Sequence, residues 1–468
     1  MLGVASGAIL VPLNSTMLAV ALPDVMGDFG LGANAVSSLV TLYLGAVAVA
    51  LPIGGSIGDR YGHRPTFLAG VAGFAVASAL AAIATSFEIL ELSRVGQAVS
   101  GALISTSSAA LIRETTPPDR QGEAFGVFDL LVSTSAAVGP FIGGLLVGGF
   151  GWRSLFFLAV PLGIISAAFV GLALRPAPGG ESRTDHRARA APIDVPGLVL
   201  LALAIIAFLI ALRGEGGRGI DGPTPSRLGL LAALAVVPLL AVFVFVELRR
   251  DRPAVDPRLF LRRPFAAAVL GVFGATVILH GSFILVPLLT EILLGESPAT
   301  SGAVLLGIAG VGAVVAPFGG RASDRRGRRL LAVVGGLITA AGLAALALPV
   351  GASSALIVAA LLCVVGLGLG ISGSPRQAAA FESIEPSRVG MAAGTYYTGR
   401  YLGGVVGASL AGAILGAQVT PGGVSAGFAV LAAVGVGVAI VSLGLRGRDG
   451  RGSDAAARDA RPEETEAA

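Results

Sequence analysis

Lysine is absent from this chain of 468 residues, cysteine occurs once and histidine three times. A single thiol, Cys363, leaves no disulfide framework. The few His and Cys are too scattered to set up a zinc site. No Walker motif is present, so ATP is not the expected driver. Gly366-Leu-Gly368-Leu-Gly370 lies inside an apolar run with no strand before it, so it lacks the setting of a nucleotide-binding loop. No Ser/His/Asp constellation falls on one level of the chain, and an enzyme has little support. No cofactor and no metal are implied. Charged residues make up only 13% of the chain. A soluble domain carries about 25%.

What fills the chain instead is apolar, 54% of it. Fourteen long apolar runs lie near 4–28, 36–57, 65–85, 87–112, 122–148, 153–174, 195–213, 227–248, 264–293, 299–319, 329–349, 354–374, 390–417 and 424–445. About 20 apolar residues span a ~30 Å hydrocarbon layer as a helix. A barrel would need period-2 alternation in pieces of about ten, whereas these runs are continuous. The 69 glycines suit helices that pack in lipid through small residues. The first run has no basic stretch before it and is longer than the apolar core of a signal peptide, so it reads as a retained helix.

All 32 basic residues are Arg. With the runs alternating across a bilayer, 26 of them fall in the loops and tail on one side. Arg153, Arg213, Arg218 and Arg227 fall at the opposite ends, and Arg94 and Arg400 lie within helices. Basic residues resist translocation, so the Arg-rich side and both termini are expected to be cytoplasmic. This placement accounts for the pI near 9.8 without nucleic acid. Two stretches are polar: 175–194 reads as a linker and 447–468 as a disordered tail.

An internal repeat is visible. Gly55-Ser-Ile-Gly-Asp59-Arg60-Tyr-Gly62-His63-Arg64 follows the second run, and Gly320-Arg-Ala-Ser-Asp324-Arg325-Arg-Gly327-Arg328-Arg329 follows the tenth. Arg120-Gln-Gly122 opens the fifth run and Arg388-Val-Gly390 the thirteenth. The offset is eight runs each time, an even number. The halves are therefore parallel repeats, which place a substrate cavity between them near the bilayer midplane. The expected architecture is all-α: a six-helix bundle in 1–174, a linker and two inserted helices in 175–263, a second six-helix bundle in 264–446, and the tail.

Further elements follow in order: Leu13-Asn14-Ser15-Thr16 and Val20-Ala21-Leu22-Pro23 in the first run, Arg94-Val-Gly-Gln97 in the fourth, Gly139-Pro140-Phe-Ile-Gly143-Gly144 in the fifth, then Trp152-Arg153 and Pro253-Ala-Val-Asp-Pro-Arg258. Together with the duplicated Asp-Arg loop these resemble the fourteen-helix drug:proton antiporter branch of the major facilitator superfamily, over nearly the whole chain. The resemblance implies a proton-coupled secondary transporter that exports amphipathic drugs or antibiotics by alternating access. It would be a multi-pass protein of a bacterial inner membrane, working as a monomer, with a small molecule, protons and lipid as its partners. Transport of one specific metabolite is the alternative, and a non-transporting sensor a remoter one. Three positions depart from the branch pattern. Asn14 stands for the usual Asp, Ala98 follows Gln97 where glycine is expected, and Ser135 replaces the first glycine of the antiporter motif.

The candidate roles follow from cost and position. A charge at helix centre costs at least about 2.5–3.5 kcal/mol, so Arg94, Asp129 and Arg400 should face water or a partner. Arg94 lies roughly 12 Å from one face and Asp129 roughly 10 Å from the other, counted at 1.5 Å per residue. Asp129 is the expected proton carrier with Arg94 tuning it; alternatively the two form a static pair, or Asp129 lies near enough to the cytoplasmic edge to be simply solvated. His280 and Glu291 are further proton-coupling candidates. Asn14 cannot titrate; with Gln97, Tyr396, Tyr397 and Arg400 it is a candidate for the cavity wall. Gly55, Asp59, Arg60, Gly62, Arg64, Asp324, Arg325 and Gly327 form candidate latches. Gly139, Pro140, Gly143 and Gly144 form a candidate pivot, or an ordinary kink.

Overall fold

The computed structural model describes residues 2–117, 121–173, 195–212, 227–250, 253, 257–349, 353–382, 384, 389–416 and 418–445. The 175–194 linker, the 447–468 tail, Arg213 and Arg218 lie outside them. The side chains of Asp59, Asp129 and Asp324 are likewise outside the description.

The described residues are helical and form no strand. In lipid an isolated backbone can satisfy its N–H and C=O groups only within its own helix. The elements are α1 (Leu2–Met17, continued through a 3₁₀ turn at Leu18–Ala21 to Leu22–Phe29), α2 (Ala33–Tyr61), α3 (His63–Ala82), α4 (Phe87–Thr115), α5 (Gln121–Phe150), α6 (Arg153–Ala173) and α7 (Val195–Leu212). They continue with α8 (Arg227–Leu248), α9 (Arg263–Pro287, extended by a π-helical turn at Leu288–Leu293), α10 (Pro298–Arg326), α11 (Arg328–Leu346), α12 (Ala355–Glu382), α13 (Val389–Leu415) and α14 (Pro421–Ser442). One helix sits on each apolar run. Eleven are long and apolar enough to cross a membrane; α5, α7 and α13 do not meet the same measure over their described residues.

Packing repeats with the offset read from the loops. In the first half α2 packs on α4, α3 on α4, α3 on α6, α1 on α5 and α1 on α6. In the second, α10 packs on α12, α11 on α12, α11 on α14, α9 on α13 and α9 on α14. Every pairing is the first-half pairing moved by eight helices. The halves meet through α5 against α10 and α2 against α13, and these two contacts are each other's image under the repeat. The inserted helices α7 and α8 pair with each other. Leu201, Ile205 and Phe243 from this pair join Ala48 of α2 in one buried cluster, against Tyr401 and Leu402 of α13. The insertion therefore covers one seam between the halves.

The two Asp-Arg loops have one conformation. Gly62 lies at φ 94, ψ 142 and Gly327 at φ 90, ψ 146, each as the single residue between two helices. Their N–H groups donate to Gly58 O at 2.8 Å and Ser323 O at 2.9 Å. A side chain at this φ and ψ would clash with its own backbone, so only glycine can make a one-residue corner here.

One boundary is corrected. The twelfth apolar run stops near residue 374, just before Pro375-Arg376, yet α12 continues through Pro375 to Glu382. Arg376 is then no loop residue: it lies inside the helix and is 2% exposed. Proline removes one backbone donor but does not end a helix whose next turn is held by neighbours.

The corner geometry gives a stability test. Gly327→Ala is expected to destabilise the purified protein by about 1–3 kcal/mol, the cost of a non-glycine residue in this region. Thermal unfolding in detergent reads it as a lowered Tm. An unchanged Tm would mean the corner relaxes freely.

Candidate functional site

The halves are closest toward the Arg-poor ends. Gly144 of α5 abuts Pro298 and Ala299 of α10, and Gly302 of α10 abuts Pro140 and Phe141 of α5. A methyl group on either glycine would overlap the facing backbone. On the second seam Gly412 of α13 abuts Ser37 of α2, and Asn34 N–H donates to Gly416 O at 3.3 Å. Gly139 and Gly143 face the other way, against Thr16 and Met17 of α1. The motif Gly139-Pro140-Phe-Ile-Gly143-Gly144 thus serves two interfaces. Two of its glycines seat α5 on α1, and the third lets α5 touch the opposite half. Ser135, two turns before Gly143, turns its hydroxyl back to Val132 O at 2.7 Å.

Arg94 of α4 is fully buried. Its Nη1 donates to Asn14 Oδ1 at 2.8 Å and to Gln97 Oε1 at 2.7 Å, and its Nε reaches Leu39 O at 3.4 Å. Gln97 Nε2 donates onward to Ser78 Oγ at 2.8 Å. The guanidinium lies 4.1 Å from the centre of the Tyr43 ring, a cation–π arrangement. No carboxylate among the described residues pairs with it. Glu91, one turn away on α4, instead accepts from Ser38 of α2. Asn14 and Gln97, both cavity candidates, are therefore occupied as ligands of a cation. Sequence reasoning missed Tyr43 and Ser78, since nothing in the spacing ties α2 or α3 to Arg94, and it missed Glu91, whose position one turn before Arg94 on α4 was the available signal.

In the second half, Arg400 and Tyr397 lie on one exposed face of α13, while Tyr396 is buried. Gln377 Nε2 of α12 donates to Tyr397 Oη at 3.4 Å. His280 of α9 holds Thr276 O through Nδ1 at 3.1 Å, which puts the proton on Nδ1, and packs edge-on against Phe283. Thr276 Oγ1 in turn donates to Arg400 O at 2.8 Å, tying α9 to α13. Arg376 lies beneath Gly271 of α9, and its Nε and Nη1 are buried without a hydrogen-bond partner.

Glu291 sits in the π turn at the Arg-poor end of α9. Its Oε1 is buried beside the buried hydroxyl of Ser301 of α10. Asp24 of α1 is near enough to repel it. A third acid at the same end, Asp28, accepts from Trp152 Nε1 at 2.9 Å and Arg153 Nη1 at 2.6 Å. Arg153 also reaches Ala84 O at 3.3 Å, so this knot fastens α1, the end of α3 and the start of α6. At the Arg-rich end, Arg64 Nη2 donates to Gly171 O at 3.1 Å, and Arg328 pairs with Glu382. Both contacts stay within one half. Arg60 and Arg325 are exposed.

The sequence pattern of the Major Facilitator Superfamily matches residues 4–408, and again residues 316–465. The chain belongs to this superfamily. It is 34% identical over 90% of its length, and 76% of the relative's, to the tetracenomycin C resistance and export protein of Streptomyces glaucescens. It is 30% identical over 87% of its length, and 74% of the relative's, to a multidrug resistance protein B homolog of Mycobacterium tuberculosis. Among solved structures, the peptide transporter POT in complex with sulfate superposes with a TM-score of 0.69 at 15% identity, covering 94% of this chain and 93% of that one. At that identity the likeness concerns the fold. Superfamily membership agrees with the parallel repeat, the covered seam and the charged residues kept inside.

The ligand set of Arg94 gives a second test. Asn14→Ala removes one of its acceptors and is expected to cost about 1–3 kcal/mol, the usual loss for an unsatisfied buried polar group. Asn14→Asp sets an anion beside the guanidinium and is expected to raise Tm above the parent. Equal Tm for all three proteins would remove Asn14 from the network.

Proposed function

We propose that this chain is a proton-coupled exporter of amphipathic small molecules, including antibiotics, that works by alternating access. The observation carrying this reading is the asymmetry of the seam. Glycine-on-backbone contacts close it toward the Arg-poor end, while Tyr397, Arg400 and Gln377 are exposed on the Arg-rich side of those contacts. The name of the Streptomyces glaucescens relative, a resistance and export protein, supports export as the direction. The excess of Arg supports a cytoplasmic Arg-rich end in a bacterial plasma membrane, so the described state faces inward. The opposite state requires the seam at Gly144 and Gly302 to part and the Arg-rich ends to close. The Asp59 and Asp324 loops would latch those ends by pairing with an Arg or a helix N-terminus of the neighbouring helix.

Asn14 has no proton to exchange, so coupling falls to other carboxyls. Glu291 is well placed: it lies in a π turn, a feature frequent at functional sites, and its Oε1 is buried at the closed end, beside Ser301 and near Asp24. Opening that end would hydrate it and allow protons to exchange with the exterior. Asp129 is the second carrier, on α5 on the Arg-rich side of the motif. His280, already committed to Thr276, is a less direct relay.

Expression in a drug-hypersusceptible bacterium is expected to raise minimum inhibitory concentrations at least fourfold for a subset of amphipathic antibiotics. An uncoupler should abolish the accompanying efflux. Unaltered susceptibility across the panel, or efflux indifferent to the uncoupler, would remove export or proton coupling respectively. Glu291→Gln should leave expression intact and lower uncoupler-sensitive efflux at least tenfold; wild-type efflux from this variant would exclude Glu291 as the carrier. Gly302→Val should hold the Arg-poor seam apart. A cysteine placed at Ser37 would then react faster with an impermeant thiol reagent, and unchanged labelling would mean the seam lies elsewhere.

A further inference from the structure

Among the described residues, three arginines inside the helical bundle have no carboxylate partner. Arg94 is held only by amide and carbonyl oxygens and the Tyr43 ring. Arg376 is 2% exposed, with two buried nitrogens lacking any hydrogen-bond partner. Arg400 is exposed about eleven residues into α13 from the Arg-rich end, roughly 16 Å at 1.5 Å per residue. Among the described residues no carboxylate pairs with any of the three. Buried cations are ordinarily paired; of these three, Arg400 is the one exposed and so within reach of an anionic solute.

The exposed member points into the seam. Gly404, one turn beyond Arg400 on the same face of α13, meets the other half at Leu44 of α2, 2.8 Å from where its Cβ would stand, with His280 Nδ1 of its own half at 3.1 Å. The face that touches α2 at Gly404 is therefore uncovered at Arg400 and Tyr397, where the halves have separated. Tyr397 supplies an aromatic ring and Gln377 a donor amide on that face, joined to each other at 3.4 Å. A guanidinium offers two parallel donors that fit a carboxylate or phenolate, and a neighbouring phenol ring offers a stacking surface.

We propose that this face of α12 and α13 binds a planar aromatic acid as its anion, with the acidic group on Arg400 and the ring against Tyr397, in preference to a lipophilic cation. The inference rests on the export reading for its place in transport and names the cargo class of that same cavity. It has an electrical consequence. Carrying an anion outward while a proton enters moves positive charge inward on both legs, so an inside-negative potential drives both. Export of a cation would be opposed on one leg.

The test is equilibrium binding to the full-length purified protein, with no gradient imposed. The probes are 3-hydroxy-2-naphthoic acid, its uncharged methyl ester, and ethidium as an aromatic cation. The acid is expected to bind at least tenfold more tightly than the ester or ethidium. Arg400→Gln should abolish that preference and Arg400→Lys retain part of it. Gln377→Glu, an exposed charge change that keeps the test usable if Arg400→Gln misfolds, should weaken the acid and strengthen ethidium. Equal or tighter binding of the ester or ethidium, a preference indifferent to both variants, or no binding of any probe would overturn the proposal. Drug export from cells together with ethidium preference would sink this inference and leave the export reading standing. Acid binding without export would do the reverse.

Discussion

Hydrocarbon offers no hydrogen-bond partners and no hydrophobic drive between helices, and everything in this structure answers to that condition. Backbone groups are satisfied within helices. Helices are then held by close approach, which demands residues with little or no side chain. That is why the cross-half contacts fall on Gly144, Gly302 and Gly412, where backbone meets backbone or a serine. It is also why these contacts suit a seam that parts. Shallow surfaces lock nothing by interdigitation, so two rigid halves can separate there without unpacking either core.

The same condition governs charge. Arg94 persists in the interior because Asn14, Gln97, Leu39 and Tyr43, drawn from α1, α4 and α2, surround it. Asn14 gives the guanidinium a hydrogen-bond acceptor that carries no charge, and no carboxylate among the described residues pairs with it. Arg376 and Arg400 extend that imbalance into the second half. The acids described near the closed end, Asp24, Asp28 and Glu291, lie on the far side of the seam contacts.

Much of this was legible in one dimension. Helix positions followed from apolar run length. The duplication followed from two loop motifs, and the structure extends it to every helix pairing within a half. Gly62 and Gly327 were readable as corner residues because no other residue tolerates their backbone. Less legible was α12, where Gly-Ser-Pro-Arg resembles a helix end. The following Ala-Ala-Ala-Phe was the signal that the helix, and Arg376 with it, continues inward. The double use of the antiporter motif was not legible at all, since one glycine looks like another until its neighbour is known.

The sequence by itself determined the membrane class, the helices and the parallel repeat, because hydropathy and local backbone sterics act between residues close in the chain. Tertiary structure decided which oxygens hold Arg94, that Gly139 and Gly143 serve one helix while Gly144 serves another, and that Arg400 and Tyr397 share an uncovered face. Those outcomes depend on distances between helices tens to hundreds of residues apart, and a charge buried at a helix crossing takes its partners from whichever helices the packing brings there.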